Sequence, residues 1–153
     1  MSKELYMGIG DEVINDFLAD NLVASNDYID FISIEAKSRT IDMNMGGNFK
    51  KIKGTLRFEL FLEEFQNDLQ APGTLVFSVN PIGALSKMVL PSIKIFQDKL
   101  EPYVSFNKNI LIVNIYEIIR DKKPEFLQLL KKYRLENLSI EPEMIMINLK
   151  KLV

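Results

Sequence analysis

The alternation of apolar and polar residues predicts a run of β-strands in the first half of the chain. It is seen in "YIDFISIEA", "TIDMNM", "KGTLRFELFLEEF" and "APGTLVFSV", and a short strand is expected at residues 3–8. The clearest strand turns four apolar side chains to one face: Leu56, Phe58, Leu60 and Leu62. Short connections between consecutive strands favour an antiparallel sheet with one covered face.

The same pattern predicts two details of these strands. The alternation places Asp30 on the same face as Ile32 in the first long strand. The Gly46-Gly47 pair is expected to interrupt the chain between the second and third long strands.

Helical spacing of apolar residues predicts three helices. The first is "GDEVINDFLADNL" with Asp11 as its N-cap, and the last is "PEFLQLLKKY" with Pro124 near its first turn. Hairpins are expected in "YVSFNKNILIVNIYEI" and around Glu141-Pro142. The predicted order is β-α-β-β-β-β-α-β-β-α-β-β, which is typical of an α+β fold in a single domain covering residues 1–153.

The remaining helix, "NPIGALSKMVLPSIKIFQ" at residues 80–97, is apolar over more than half of its circumference. A surface helix buries a stripe about 100° wide, so this helix must be enclosed from several sides. Pro91 is expected to kink it near Leu90. Three explanations stay open: a curved sheet wraps the helix, an apolar cavity lies beside it, or its apolar side docks on another protein.

Composition excludes several kinds of chemistry. The chain has no cysteine and no histidine, so it has no disulfides and cannot build a Ser-His-Asp or Cys-His centre. No carboxylate constellation is recognisable either, and we expect neither an enzyme nor a bound metal or cofactor. The net charge of −2 argues against nucleic-acid binding.

The hydropathy pattern bears on location. No run of 18 apolar residues is present, so no transmembrane segment is expected. Residues 1–6 are mixed and charged, and no apolar signal-peptide region follows them. The chain as written is therefore expected to be soluble and cytoplasmic, or exported if a leading export segment has been removed.

The order of these features resembles a known superfamily over about residues 9–150. The features are the helix "DEVINDFL", the strands "IDFISIEAKSRTIDMNM" and "KIKGTLRFELFLEEF", the helix "PIGALSKMVLPSIKIF" and the hairpin "YVSFNKNILIVNI". The pattern is similar to small bacterial members of the tubular lipid-binding (TULIP) superfamily, relatives of the bactericidal/permeability-increasing protein fold. The resemblance implies a highly curved antiparallel sheet wrapped around a long apolar helix, with two further helices and an apolar groove for lipid chains.

Our first hypothesis is accordingly non-enzymatic binding of a lipid or similar apolar small molecule in that groove. The expected sheet side of the groove is Met43, Met45, Leu56, Phe58, Leu60 and Phe77. The expected helix side is Ile82, Leu85, Met88, Val89, Ile93 and Phe96. The alternative is a protein-interaction or assembly subunit, or a homo-oligomer, with a filled core and an exposed apolar patch or strand edge as its contact surface.

Overall fold

The structure is a computed structural model that describes residues 4–23, 29–49, 51–66, 73–90 and 103–152. Within these ranges the chain is α+β, with antiparallel strands and short helices, as the periodicity predicts. Along the chain the elements are β1 (Glu4–Gly10), α1 (Asp11–Leu18), a π-helical turn (Ala19–Val23), β2 (Ile29–Ala36), β3 (Thr40–Phe49), β4 (Ile52–Gln66), β5 (Thr74–Ile82), α2 (Ala84–Val89), β6 (Val104–Asn107), β7 (Ile110–Asn114), α3 (Ile115–Lys122), a 3₁₀ turn (Pro124–Phe126), α4 (Leu127–Lys132), β8 (Tyr133–Glu141) and β9 (Met144–Lys151).

The described strands form two sheets, where the sequence led us to expect one highly curved sheet. The large sheet has the order β2-β3-β4-β5-β7-β6, and the small sheet has the order β1-β9-β8. In the small sheet the first and last strands of the chain pair directly, with Met7 opposite Ile147. Pairing between strands so far apart in the chain leaves no local pattern in the sequence, which explains why the small sheet was not foreseen.

One continuous cluster of buried side chains draws on both sheets. The large sheet contributes its inner face, where Met45 lies between Ile32 and Leu56 across three neighbouring strands. The small sheet contributes residues such as Leu138 and Ile147. Because successive side chains of a strand point to opposite faces, the alternation in the sequence correctly identifies this inner face.

The predicted interruption at Gly46-Gly47 is wrong, because both glycines lie within β3 and pair with β4. The chain turns later, at Lys51, which has a φ of 67°. Gly46 lacks a side chain where the ring of Phe31 from β2 crosses it: a Cβ there would lie 2.0 Å from a ring carbon. The glycine is therefore required by the close approach of an aromatic side chain and not by a turn.

The predicted face of Asp30 is also wrong. The pairing register between β2 and β3 shifts between Ile29 and Phe31, so an extra residue enters β2 at this point. The shift buries both Ile29 and Ile32, whereas Asp30 is exposed. A bulge changes the phase of the alternation, which a strict period of two cannot anticipate.

The hairpin around residues 107–109 is confirmed, but its second strand ends earlier than the pattern predicts. β7 stops at Asn114, whose side-chain oxygen accepts a hydrogen bond from the Glu117 N–H at 3.2 Å. This N-cap begins α3, a helix absent from the predicted order. The hairpin at Glu141-Pro142 is confirmed by the pairing of Glu141 with Met144.

The long apolar helix differs most from expectation within the described residues. Residues 80–82 belong to β5, and α2 covers only Ala84–Val89. Gly83, with a φ of 90°, separates the two elements. The predicted kink at Pro91 and the rest of the segment lie outside the described residues.

Candidate functional site

The predicted sheet side of the ligand groove is a packed core. Met43 is partly buried and packs against that core. The other five predicted residues are at most 6% exposed: Met45, Leu56, Phe58, Leu60 and Phe77. The structure thus brings the six together on one inner face, where their side chains fill space within the protein.

The residues predicted for the helix side of the ligand groove are divided between the core and the surface. Val89 is buried, and Leu85 packs on the inner face at Gly54, where a Cβ would lie 2.6 Å from a Leu85 methyl carbon. In contrast, Ile82 is 38% and Met88 is 52% exposed. Ile93 and Phe96 lie outside the described residues.

A polar contact fixes α2 against the large sheet. The buried Ser86 Oγ accepts a hydrogen bond from the Arg57 N–H of β4 at 2.8 Å. β5 pairs with β4 only as far as Arg57 opposite Ile82, and α2 folds back at that point. The serine hydroxyl therefore accepts a backbone N–H that a neighbouring strand would otherwise pair with. This hydrogen bond limits how far α2 can shift on the sheet.

A pocket of about 500 Å³, open to solvent on one side, is lined by residues of both sheets and of the turn between β2 and β3. Leu62, Leu138 and Ile140 form its apolar part, and the charged side chains of Arg39 and Glu141 line it as well. None of the ten predicted ligand-binding residues that the structure describes lines this pocket.

Hydrogen bonds at the junction of the sheets cover the outer edge of β2. The Asn15 side chain of α1 accepts from the Ile34 N–H at 2.6 Å and donates to the Ile34 carbonyl at 3.0 Å. The Asp11 carboxylate accepts from the Ala36 N–H at 3.1 Å, and the Glu143 N–H donates to the Ala36 carbonyl at 2.9 Å. Asp11 is the first helical residue and Gly10 the N-cap, so the predicted capping role of Asp11 is wrong.

Two other sheet edges are protected by shape or by length. β8 has a register shift between Leu135 and Asn137, and its outward Ile140 carbonyl accepts a hydrogen bond from the Arg39 N–H at 3.0 Å. β6 has only four residues. Bulges, short length and covering segments are the usual means by which proteins prevent strand addition at an edge.

The outer edge of β1 has none of these protections in the described part of the chain. Its seven residues pair with β9 without a register shift, and no proline or lysine interrupts them. Tyr6 is 62% exposed, Leu5 is 37% exposed, and Gly8 is exposed. An uncovered, regular edge rich in apolar residues is a template for another strand.

The hydrogen bonds between β1 and β9 show which backbone groups of β1 face outward. The Asp11 N–H donates to the Glu143 carbonyl at 3.0 Å, which continues the β1–β9 register. Since hydrogen-bonding direction alternates along an antiparallel strand, Leu5, Met7 and Ile9 direct their backbone groups to β9. Tyr6 and Gly8 direct theirs outward, where no described residue pairs with them.

Three tyrosine phenols of the described residues have a raised pKa. The hydrogen bond to Glu4 raises the pKa of Tyr6, the hydrogen bond to Asp121 raises the pKa of Tyr103, and burial raises the pKa of Tyr116. In each case the surroundings favour the neutral phenol over the phenolate. The described residues also contain no group of three or more acidic side chains suited to a metal ion.

Comparison with known proteins leaves the resemblance to the tubular lipid-binding superfamily a prediction. Neither a family model, nor a curated protein, nor a solved structure matches the chain. Within the described ranges, every helix is too short or too polar to cross a bilayer.

The outer edge of β1, which no described residue covers, is the feature that sequence reasoning missed. A strand at residues 3–8 was expected, but no functional role was attached to it. The available signal was an apolar strand, "ELYMGIG", with no proline or lysine inside it. Whether such a strand lies at an edge depends on its neighbours, which the sequence pattern does not give.

Proposed function

We propose that the chain is a non-enzymatic protein-interaction module whose strand β1 accepts a further strand at its outer edge. The observation that carries this proposal is the pair of outward-facing residues Tyr6 and Gly8, whose backbone groups have no partner among the described residues. Strand addition would pair these groups, and main-chain hydrogen bonds supply much of the affinity in such complexes. The packed inner face supports a function at the surface more than one in the core.

A labelled peptide with the β1 sequence, ELYMGIG, flanked by lysines for solubility, tests strand addition directly. We expect saturable binding with amide chemical-shift changes centred on Tyr6 and Gly8. Tyr6→Pro, which removes one outward N–H, should weaken binding severalfold, and Tyr6→Phe, which retains it, should not. Absence of binding, or shift changes confined to other parts of the protein, would overturn the proposal.

A second candidate function is binding of an amphipathic lipid at the pocket lined by both sheets. Its apolar residues would contact an acyl chain, and Arg39 lies beside them to meet a carboxylate. The pocket has a volume of about 500 Å³ and is open to solvent on one side, so part of a bound lipid would stay exposed. Binding within the inner groove of a TULIP-like fold would instead need space beside α2, where Leu85 and Val89 pack on the sheet or in the core.

Fluorescent fatty acids and mass spectrometry after extraction with organic solvent test this second candidate. We expect Arg39→Gln to weaken fatty-acid binding severalfold, because it removes the cation at the pocket. Arg57→Gln, an exposed position on the outer face of the large sheet, is the matched control and should bind as the wild type does. No extracted lipid together with no fatty-acid binding would exclude the second candidate.

A further inference from the structure

We propose that the strand accepted by β1 is β1 of a second copy of this chain, antiparallel to the first and related to it by a two-fold axis at Met7. This inference rests on the proposed function and identifies the partner. It follows from three properties of the strand: the direction of its backbone groups, the fit of its side chains and the edges that remain after pairing.

The backbone directions define which registers are possible. Tyr6 and Gly8 face outward, so a symmetric pairing must place an even-numbered residue opposite an even-numbered one. Centring the pair on Met7 sets Tyr6 opposite Gly8 of the second copy and Glu4 opposite Gly10. This register uses all seven residues of β1, whereas centring on Tyr6 or Gly8 leaves two residues of each strand without a partner.

The side chains suit the same register. Leu5 would lie opposite Ile9 of the second copy on the face that joins the core, and the two Met7 side chains would meet on that face. On the other face, the exposed ring of Tyr6 would cover Gly8, and aromatic side chains stabilise edge glycines in this way. Glu4 is the only charged residue of β1 and would not oppose a like charge.

Pairing would also end the assembly at two copies. The joined sheet would have the order β8-β9-β1-β1-β9-β8, so β1 would no longer be an edge. Both new edges would be β8, which has a register shift and whose Ile140 carbonyl already accepts a hydrogen bond from the Arg39 N–H. An interface of this kind contacts itself and closes, as in the common two-fold dimers.

Sedimentation equilibrium and light scattering over a range of concentrations test the dimer. We expect a reversible monomer–dimer equilibrium in the wild type. Tyr6→Pro should raise the dimer dissociation constant about tenfold or more, because it removes two symmetry-related hydrogen bonds, and Tyr6→Phe should change it little. A wild type that stays monomeric at all concentrations, or a dimer that Tyr6→Pro leaves unchanged, would overturn the inference.

Disulfide formation tests the register independently of proline substitution. The natural chain contains no cysteine, so a single introduced thiol gives an unambiguous product. Met7→Cys should form a disulfide-linked dimer on mild oxidation, because opposing residues at a non-hydrogen-bonded pair lie about 4.5 Å apart at Cα. Leu5→Cys is the matched control: the two copies of residue 5 would be about 13 Å apart along the strand, too far for a disulfide.

These outcomes separate the inference from the proposed function. If the chain is monomeric and Met7→Cys does not cross-link, but the β1 peptide binds at Tyr6 and Gly8, then strand addition stands and the association of two whole copies through β1 is overturned. If the peptide also fails to bind, both are overturned. Cross-linking of Leu5→Cys but not of Met7→Cys would show that the copies pair in another register.

Discussion

The outer edges of β1 and β2 form an informative contrast within one molecule. Both strands end a sheet, and they have seven and eight residues. On β2, the outward N–H and carbonyl groups of Ile34 and Ala36 are all hydrogen-bonded. Three of them pair with side chains of α1, and the Ala36 carbonyl pairs with a backbone N–H of the β8–β9 turn. On β1, the corresponding groups of Tyr6 and Gly8 have no partner among the described residues. Within the described residues, the fold covers the outer edge of β2 and leaves that of β1 uncovered.

Proline substitutions at adjacent positions of β1 should show the largest effect. Met7→Pro should lower the free energy of unfolding by about 3 kcal/mol, because it removes a hydrogen bond to β9 and apolar contact with the core. Tyr6→Pro should cost less than about 1 kcal/mol, since its N–H faces away from β9. Urea unfolding at low protein concentration measures both, and equal losses would contradict the assigned backbone directions.

Removing the amide that covers β2 should have the next largest effect. Asn15→Leu leaves the N–H and carbonyl of Ile34 without their side-chain partners, and we expect a loss of about 2–3 kcal/mol. Asp16→Leu introduces the same side chain at an exposed neighbouring position of α1 and serves as the control. If Asn15→Leu costs no more than the control in urea unfolding, Asn15 does not protect the edge.

The carboxylate at Asp11 should contribute less. Asp11→Ala removes the acceptor of the Ala36 N–H together with a favourable charge at the start of α1, and we expect a loss of about 1–2 kcal/mol. Glu12→Ala removes an acidic side chain from the same helical turn without breaking a contact to β2, and should cost only a few tenths of a kcal/mol. If both variants lose the same stability in thermal unfolding, the effect of Asp11 comes from its charge at the start of α1 and not from its hydrogen bond to the edge of β2.

The smallest effect should be on the ionisation of Tyr6. Its phenol donates a 2.8 Å hydrogen bond to the Glu4 carboxylate. That hydrogen bond, followed by the negative charge of Glu4, raises the Tyr6 pKa above its usual value of about 10. Glu4→Gln should lower the pKa toward that value, because the neutral phenol loses a charged acceptor and the phenolate loses a repelling neighbour. NMR titration of the Tyr6 ring measures the change, and an unaltered pKa would contradict the hydrogen bond.

Local patterns predicted much of the fold because each depends on residues close together in the chain. The alternation of Leu56, Phe58 and Leu60 identified the buried face of β4, and the hairpins at residues 107–109 and 141–142 are confirmed. The predicted strand boundaries failed where a side chain changed the structure that the local pattern favours. Gly46 continues a strand because Phe31 lies against it, and the Asn114 cap ends β7 in favour of a helix.

The candidate site was less accessible to sequence reasoning. Met43 and Phe58 were correctly placed with the apolar face, but a pattern of apolar residues does not distinguish a packed core from the lining of a cavity. The exposure of Met88 was missed for a related reason. The apolar surface at residues 80–97 was judged as that of one long helix, whereas the described helix α2 ends at Val89. Ligand binding at the predicted residues stays a prediction.

The sequence by itself determined the α+β class, the inner face of the large sheet and the absence of histidine and cysteine chemistry. These properties follow from composition and from the two-residue period of a strand, which successive side chains display wherever the strand lies. Only the tertiary structure decided that β1 pairs with β9, that Asn15 covers β2, and that no described residue pairs with the outer edge of β1. The physical reason is that an edge is defined by the neighbours a strand has in space, and the outward N–H and carbonyl groups of Tyr6 and Gly8 belong to the backbone, which every residue shares.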